Sequence, residues 1–390
     1  MREAVIVEAV RSPVGRKNGK LSGWHPVDLL AEVLRAAVER SGIDPAQVDD
    51  HISGCVSQTG EQGINIARNG WLAAGLPEEI PSTTIDRQCG SSQQAAHFGA
   101  QGVMAGVYDL VVASGIEHMS RVPMGVTASQ GPGFPYSQQL MDRYEGGLVP
   151  QGVSAEIIAE RWNLSREQLD TFGLRSHERA IAAIDGGSFQ KEIHPVKVEG
   201  EDGSELFEND EGVRRGSSLE KMATLPTPFK EDGVVTAGNS SQISDGAAAV
   251  VITHPEKAAE LGLRPRARFH TFALAGVDPI VMLTGVIPAT RKALDRAGLS
   301  LQDMDVVEIN EAFASVVLAW KHDLEIPDEW FEENVNPNGG AIALGHPLGA
   351  SGARLMTSLL HELERREARY GLQVMCEGGG MANATILERL

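Results

Sequence analysis

Cys89 stands in the run Asp86-Arg87-Gln88-Cys89-Gly90-Ser91, which leads into an alanine-rich stretch. Ser82-Thr83-Thr84-Ile85 before it reads as a strand, so the spacing predicts a tight turn from strand to helix with Cys89 near the helix N-terminus. Backbone N–H groups and the helix dipole favour a thiolate there, and a pKa below the ~8.5 of a free thiol is expected. A thiolate can attack a carbonyl and hold an acyl group. Free cysteine is also among the most buried residue types, so this stretch alone leaves a structural cysteine open.

The run Asn336-Pro337-Asn338-Gly339-Gly340-Ala341-Ile342-Ala343-Leu344-Gly345-His346-Pro347-Leu348-Gly349 crowds glycines around one histidine. Such a run suits backbone packed closely on a ligand or another strand, with Pro347 stiffening the turn that aims His346. A histidine so placed can serve as general base to a thiol. A phosphate loop with an incidental histidine is weakened as a reading, because neither G-x-G-x-x-G nor G-K-[ST] occurs. Cys376 ends the strand-like Leu372-Gln373-Val374-Met375 and precedes Glu377-Gly378-Gly379-Gly380. It could be an acid/base beside an oxyanion hole, or a structural thiol. Asn310-Glu311-Ala312-Phe313 ends the strand Val306 to Ile309 and opens a helix. Asn310 there could hold a water, donate to a developing oxyanion, or simply cap the helix. Cys55 reads as structural. No C-x-x-C or other close ligand spacing exists, so metal binding is not expected.

Alternating strand-like and helix-like segments must position these residues, the pattern of an α/β protein. Ala4 to Val10 reads as a buried strand, Val27 to Arg40 as a one-faced helix, and Asp109 to Gly115 as a strand. The plan recurs. Arg40-Ser41-Gly42-Ile43 with Val48-Asp49 matches Arg296-Ala297-Gly298-Leu299 with Met304-Asp305, and Tyr108-Asp109-Leu110 resembles Tyr370-Gly371-Leu372. We read a duplication that sets Cys89 opposite Gly345, beside His346. Between the halves, residues 118 to 246 are Gly- and Pro-rich in places, with an acidic run from Glu199 to Glu211 expected as a solvated loop. Ser165-Arg166-Glu167-Gln168 has the form of a capping box.

The 390 residues carry a formal net charge of −19. That balance argues against nucleic acid or an anionic membrane as a partner, since both need clustered Lys and Arg. No apolar run reaches the ~18 residues of a membrane span. Three cysteines and no signal-like N-terminus make a cytoplasmic location the expectation.

Together, Asp86-Arg87-Gln88-Cys89-Gly90-Ser91, Asn310-Glu311-Ala312-Phe313, Gly345-His346-Pro347 and Cys376-Glu377-Gly378 resemble the thiolase family, in order and spacing, over essentially the whole chain. The resemblance implies the thiolase fold: two duplicated βαβαβαββ halves in a five-layer α/β/α/β/α sandwich with an inserted loop domain. The halves would be 1–117 plus 247–266, and 267–390, with the insertion at 118–246. It implies CoA-dependent cleavage of a 3-ketoacyl-CoA to acetyl-CoA and a shortened acyl-CoA. Cys89 would be the nucleophile, His346 its base and Cys376 the second acid/base. Asn310, through a water, and His346 would form one oxyanion hole; the N–H groups of Cys89 and Gly378 would form the other. Coenzyme A would be a co-substrate, with no tightly bound cofactor, contacted by Arg214, Leu225, Phe229, Ala237 and Ser241. The family also implies a homodimer or homotetramer. Gln151-Gly152 stands where many members carry Met-Gly, which argues against a short acetoacetyl substrate. The Asp86–Cys89 and Ser240–Asp245 stretches look closest to bacterial thiolases that shorten steroid side chains. A biosynthetic acetoacetyl-CoA thiolase, or a catalytically silent CoA-binding scaffold on the same fold, are the alternatives. A decarboxylating ketoacyl synthase is disfavoured by Cys376 and by Asn310-Glu311-Ala312-Phe313.

Overall fold

The computed structural model describes residues 2–145, 147–200 and 203–390. The chain opens with β1 (Val5–Arg11), β2 (Gly15–Arg16), α1 (Pro26–Ser41), β3 (Asp50–Gly54), α2 (Ile66–Ala73), β4 (Ser82–Ile85), α3 (Ser91–Ala105) and β5 (Leu110–His118). A long excursion follows: α4 (Val126–Ser129), α5 (Gln138–Asp142), α6 (Gln151–Arg161), α7 (Arg166–Asp185), the hairpin β6 (Val196–Gly200) and β7 (Gly203–Phe207), and α8 (Leu219–Ala223). The chain returns through β8 (Ser244–Thr253) and α9 (Pro255–Glu260). The second copy then runs β9 (Ala267–Gly276), α10 (Val286–Ala297), β10 (Val306–Ile309), α11 (Ala314–Asp323), α12 (Asp328–Asn334), α13 (Ala341–Leu344), α14 (Ser351–Arg365), β11 (Tyr370–Glu377) and β12 (Met381–Arg389).

Apart from the separate β6–β7 pair, the strands form one sheet path, β10-β11-β12-β9-β1-β8-β5-β3-β4, with β2 beside β8. Parallel pairs (β3 with β4 and β5, β10 with β11) flank antiparallel ones in each half. The halves meet through two residue pairs, Val5 with Arg268 and Ile6 with Ala267. Helices α1 and α2 cover the outer face of the first half, and α10 and α11 that of the second. Between the two half-sheets lie α3 and α14, one from each half and packed on each other. Their Ala95, Ala96, Ala100, Ala353, Met356 and Leu360 join Val111, Val250, Val306 and Leu387 in a central core. Small residues on α3 let the two helices share one layer, as in the five-layer sandwich expected.

The repeat extends to single atoms. Both α1 and α10 end on a left-handed glycine, Gly42 and Gly298, where a residue without Cβ is least strained. Asp49 accepts from the N–H groups of Asp109 and Leu110 at 2.6 and 3.0 Å. Asp305 does the same for Arg369 and Tyr370 at 2.8 and 2.9 Å. Each carboxylate clamps the start of the equivalent central strand, β5 or β11. The capping box Ser165/Gln168 opens α7 as its spacing predicts.

Two expectations change. The acidic run is not simply a solvated loop: its described residues include the end of β6 and all of β7, and Asp210 is buried, bidentate on Arg11 at 2.7 and 2.9 Å. Arg11 also meets Glu192 at 2.6 Å, so the two carboxylates compensate a guanidinium with no solvent exposure. The helix after β10 begins at Ala314, with Phe313 as its N-cap, so Asn310 is free of capping and faces inward.

Candidate active site

Cys89 lies in the turn between β4 and α3, one residue before the N-cap Gly90. Gln88 adopts a left-handed backbone, φ 48°, uncommon for a residue with a side chain. Several bonds hold that turn. Asp86 Oδ1 accepts from the Gln88 N–H at 2.6 Å, and Ser91 Oγ accepts from the Arg87 N–H at 2.9 Å. Ser91 Oγ also donates to Gln88 O at 2.6 Å. The geometry is a sharp elbow that presents one thiol.

His346 is positioned from the matching turn before α14. Gly345 has φ 106°, and a Cβ there would meet Ser244 Oγ at 2.4 Å, so only glycine fits. Ser244 Oγ accepts from the His346 N–H at 3.1 Å. The ring Nδ1 lies 2.6 Å from Ser351 Oγ, and that hydroxyl donates its one hydrogen to Pro347 O at 2.8 Å. The ring proton therefore sits on Nδ1, leaving Nε2 with a lone pair. Nε2 is 3.4 Å from Asn310 Nδ2. Burial, with Arg354 nearby, pushes the imidazole down to about 3, so it is neutral at rest.

Asn310 joins the second thiol to this group. Its amide lies against Cys376 and lowers that thiol, while its Oδ1 is a buried acceptor without a protein donor among the described residues. Burial nevertheless pushes Cys376 up to about 12. Cys89 is raised further by burial and by Cys376 and Glu377, although the Gln151 amide and the Gly378 N–H both aim at its sulfur and oppose the rise. The helix-terminus expectation of a lowered pKa is thus reversed. Desolvation of a sulfur that is 3% exposed outweighs one helix end, and both cysteines rest as thiols. Cys89, His346, Cys376, Asn310 and Gly378 form one cluster at the seam between the halves, whereas Cys55 is buried with Gln62 Nε2 3.4 Å from its sulfur.

Buried carboxylates that the sequence reading passed over hold the loops. Glu117, at the end of β5, accepts from the N–H groups of Val56, Ser57 and Gly349 and from Gln62, all between 2.9 and 3.0 Å. Glu311 takes Ser176 Oγ at 2.6 Å, Asn336 Nδ2 at 2.9 Å and the Ile342 N–H at 3.2 Å. Asn336 pairs both its amide atoms with the Ile309 backbone at 2.9 Å. These bonds lock the Asn310 strand end to the glycine-rich loop that ends in His346. A charged residue inside an otherwise apolar strand, as in Gly115-Ile116-Glu117, was the available signal.

The five expected coenzyme A contacts lie on segments packed against α7 and the Asn310–Ala314 stretch. Arg214 is exposed, and its N–H donates to His177 of α7 at 3.2 Å. Leu225 is half-buried beside Gly238, its carbonyl held by Arg166 at 3.1 Å. Phe229 is exposed and meets Phe313 edge-on at 6.1 Å. Ala237 is exposed, and the Ser241 N–H donates to Ala312 O at 2.9 Å. Among the described residues no group of His, Cys, Asp and Glu is placed to hold a metal ion, and no helix is long and apolar enough to cross a membrane.

A family model described as thiolase, N-terminal domain, matches residues 4–256, and one described as thiolase, C-terminal domain, matches residues 263–389. The chain is 53% identical to a steroid 3-ketoacyl-CoA thiolase of Mycobacterium tuberculosis, covering all of this chain and 95% of the relative. It is 45% identical to a beta-ketoadipyl-CoA thiolase of Escherichia coli over the full length of both. Human mitochondrial 3-ketoacyl-CoA thiolase superposes with a TM-score of 0.91 at 37% identity, and Bacillus anthracis acetyl-CoA acetyltransferase with 0.91 at 39%. Each alignment covers 100% of this chain and 99% of the other.

Proposed function

The chain belongs to the thiolase family, and from that premise we propose how its own residues carry out the reaction. The enzyme is an acyltransferase that cleaves 3-ketoacyl-CoA with coenzyme A in the degradative direction. His346 Nε2 takes the Cys89 proton as the sulfur attacks the 3-keto carbon. The N–H groups of Cys89 and Gly378 stabilise the tetrahedral oxyanion. The C2–C3 bond then breaks, leaving an acyl thioester on Cys89 and the enolate of acetyl-CoA. The imidazolium Nε2–H and a water held by Asn310 donate to the enolate oxygen. Cys376 delivers a proton to C2. The CoA thiol gives its proton to the Cys376 thiolate and attacks the acyl-enzyme, releasing a shortened acyl-CoA, while Cys89 recovers its proton from His346.

The observation that carries this reading is the pairing of a neutral His346, lone pair on Nε2, with a Cys376 thiol pushed up to about 12. A general base must arrive unprotonated and a proton donor must keep its proton until carbon needs it. The orphan acceptor Asn310 Oδ1 supports the assigned water.

We assign coenzyme A to Arg214, Leu225, Phe229, Ala237 and Ser241 of the 118–246 segment, and the acyl group to the neighbourhood of Gln151. Gln151 Nε2 and Gln88 Oε1 both flank Gly378, within 3.2 Å of where its Cβ would lie. An amide-lined mouth suits an acyl group with polar or bulky features better than acetoacetyl, and the greater similarity to a steroid 3-ketoacyl-CoA thiolase agrees. Thiolysis across 3-ketoacyl-CoAs, from acetoacetyl-CoA through linear chains to steroid-derived acids, tests this. A steroid-derived substrate should exceed acetoacetyl-CoA in kcat/KM by roughly 10²-fold, the scale of pocket-based discrimination. Equal or reversed preference would remove the substrate assignment, and no cleavage at all would favour a silent CoA-binding scaffold.

The protein is further proposed to act in the cytoplasm as a homodimer or homotetramer. The outer edge of β4 is unpaired in the sheet path, and the neighbouring Ile64 is 94% exposed. An open edge beside bare apolar surface invites pairing with a second copy. Light scattering should return two or four times the 41.7 kDa chain mass; a monomer at micromolar concentration would oppose the reading.

A further inference from the structure

Glu377 follows Cys376 and precedes Gly378, yet the mechanism above does not use it. Its side chain has no solvent exposure, and neither carboxyl oxygen has a hydrogen-bond partner among the described residues. Two other buried carboxylates of the site are unlike it: Glu117 receives four donors and Glu311 three. The carboxyl lies against the turn of the nucleophile, since a Cβ on Gly90 would stand 1.8 Å from Glu377 Oε1. The absence of a side chain at Gly90 is what lets it lie there.

The groups that face it decide its charge. From the turn come Asp86, which disfavours ionisation, Arg87, which favours it, and Cys89; from its own strand comes Cys376. On β12, Asn383 uses its amide on Gly90 O at 3.4 Å, and its Oδ1, another acceptor, is unpartnered. A carboxylate without donors, beside further acceptors, is strongly disfavoured in a dry interior. Burial accordingly pushes Glu377 up to about 9 against the pull of Arg87.

We infer that Glu377 is a positioning residue that acts with its proton on: neutral, it packs behind the Cys89 turn, and ionised, it places a negative charge beside the reacting sulfur and suppresses the nucleophile. This rests on the assignment of Cys89 as nucleophile. The sign follows directly. Alkaline pH ordinarily favours a thiolate, but ionisation of Glu377 raises the Cys89 pKa and opposes that gain.

The test is the pH profile of thiolysis in the wild type and in Glu377→Gln, which keeps shape and removes the charge change. The wild type should lose kcat/KM above a pH of about 9. Glu377→Gln should keep its neutral-pH kcat/KM within about threefold and lack that limb. The same limb in both proteins overturns the inference. Should the variant not fold, alkylation of Cys89 in the wild type, mapped by mass spectrometry, serves instead. The rate should cease to rise by about tenfold per pH unit once Glu377 ionises, and an unbroken tenfold rise overturns the inference. A 3-ketoacyl-CoA pulse with no adduct on Cys89 would instead defeat the nucleophile assignment, whereas an adduct with an unaltered pH limb defeats only the role of Glu377.

Discussion

Cys89→Ser should leave no detectable acyl-enzyme and reduce kcat/KM by at least roughly 10³-fold, ~4 kcal/mol of transition-state stabilisation. The hydroxyl is a weaker nucleophile with a far higher pKa, and the site already opposes ionisation of the sulfur it would replace. Burial pushes Cys89 upward, so a serine there, with its far higher intrinsic pKa, depends wholly on His346 to lose its proton. Substitution should cost little stability, because a slightly smaller atom replaces a sulfur that is 3% exposed in a small cluster with Met119, Leu348, Leu355 and Met375. Intact-mass spectrometry after mixing with 3-ketoacyl-CoA checks the first point, and thermal unfolding checks the second. Turnover near the wild-type rate would remove the mechanism.

His346→Ala should be nearly as severe, by roughly 10³-fold, because one ring serves twice. General-base assistance contributes roughly 10²–10⁴-fold, and an oxyanion donor contributes on a comparable scale. Cleavage of the 3-ketoacyl-CoA and acyl transfer to CoA should therefore both slow, measured separately by rapid quench. Loss confined to one half-reaction would assign His346 a single role. A second signature comes from the resting ring, pushed down to about 3: the wild-type rate should show no acid limb near the ordinary histidine value between pH 5 and 7.

Much of this site could be read along the chain because each part declares itself locally. Cys89 lies where small residues turn a strand into a helix, and His346 lies in a glycine-rich loop whose Gly345 is at φ 106°. The duplication was legible for the same reason, and Asp49 and Asp305 bear it out by making the same pair of bonds in each half. What escaped depends on how the elements pack. Ser351 fixes the tautomer of His346 only because α14 starts where it does. Glu117 reaches Gly349 across more than two hundred residues. Asp210 is one carboxylate in an acidic run, and composition cannot say which of them folds inward to Arg11. The thiol pKa failed more instructively. Proximity to a helix end is a local property, whereas desolvation is set by every element packed around the sulfur, and here the second is larger.

The shared layer formed by α3 and α14 bears on the history of the chain. Each helix begins just after a turn that faces the other, one bearing the nucleophile and the other its base, and Gly352 of α14 lies against the Gln93 backbone of α3. Two identical copies would place that turn opposite its own twin. Identical turns cannot divide the labour of attack and proton removal. In one chain that carries both copies the two turns differ, Cys89 on one and His346 on the other, and attack and proton removal are divided between them where the helices meet.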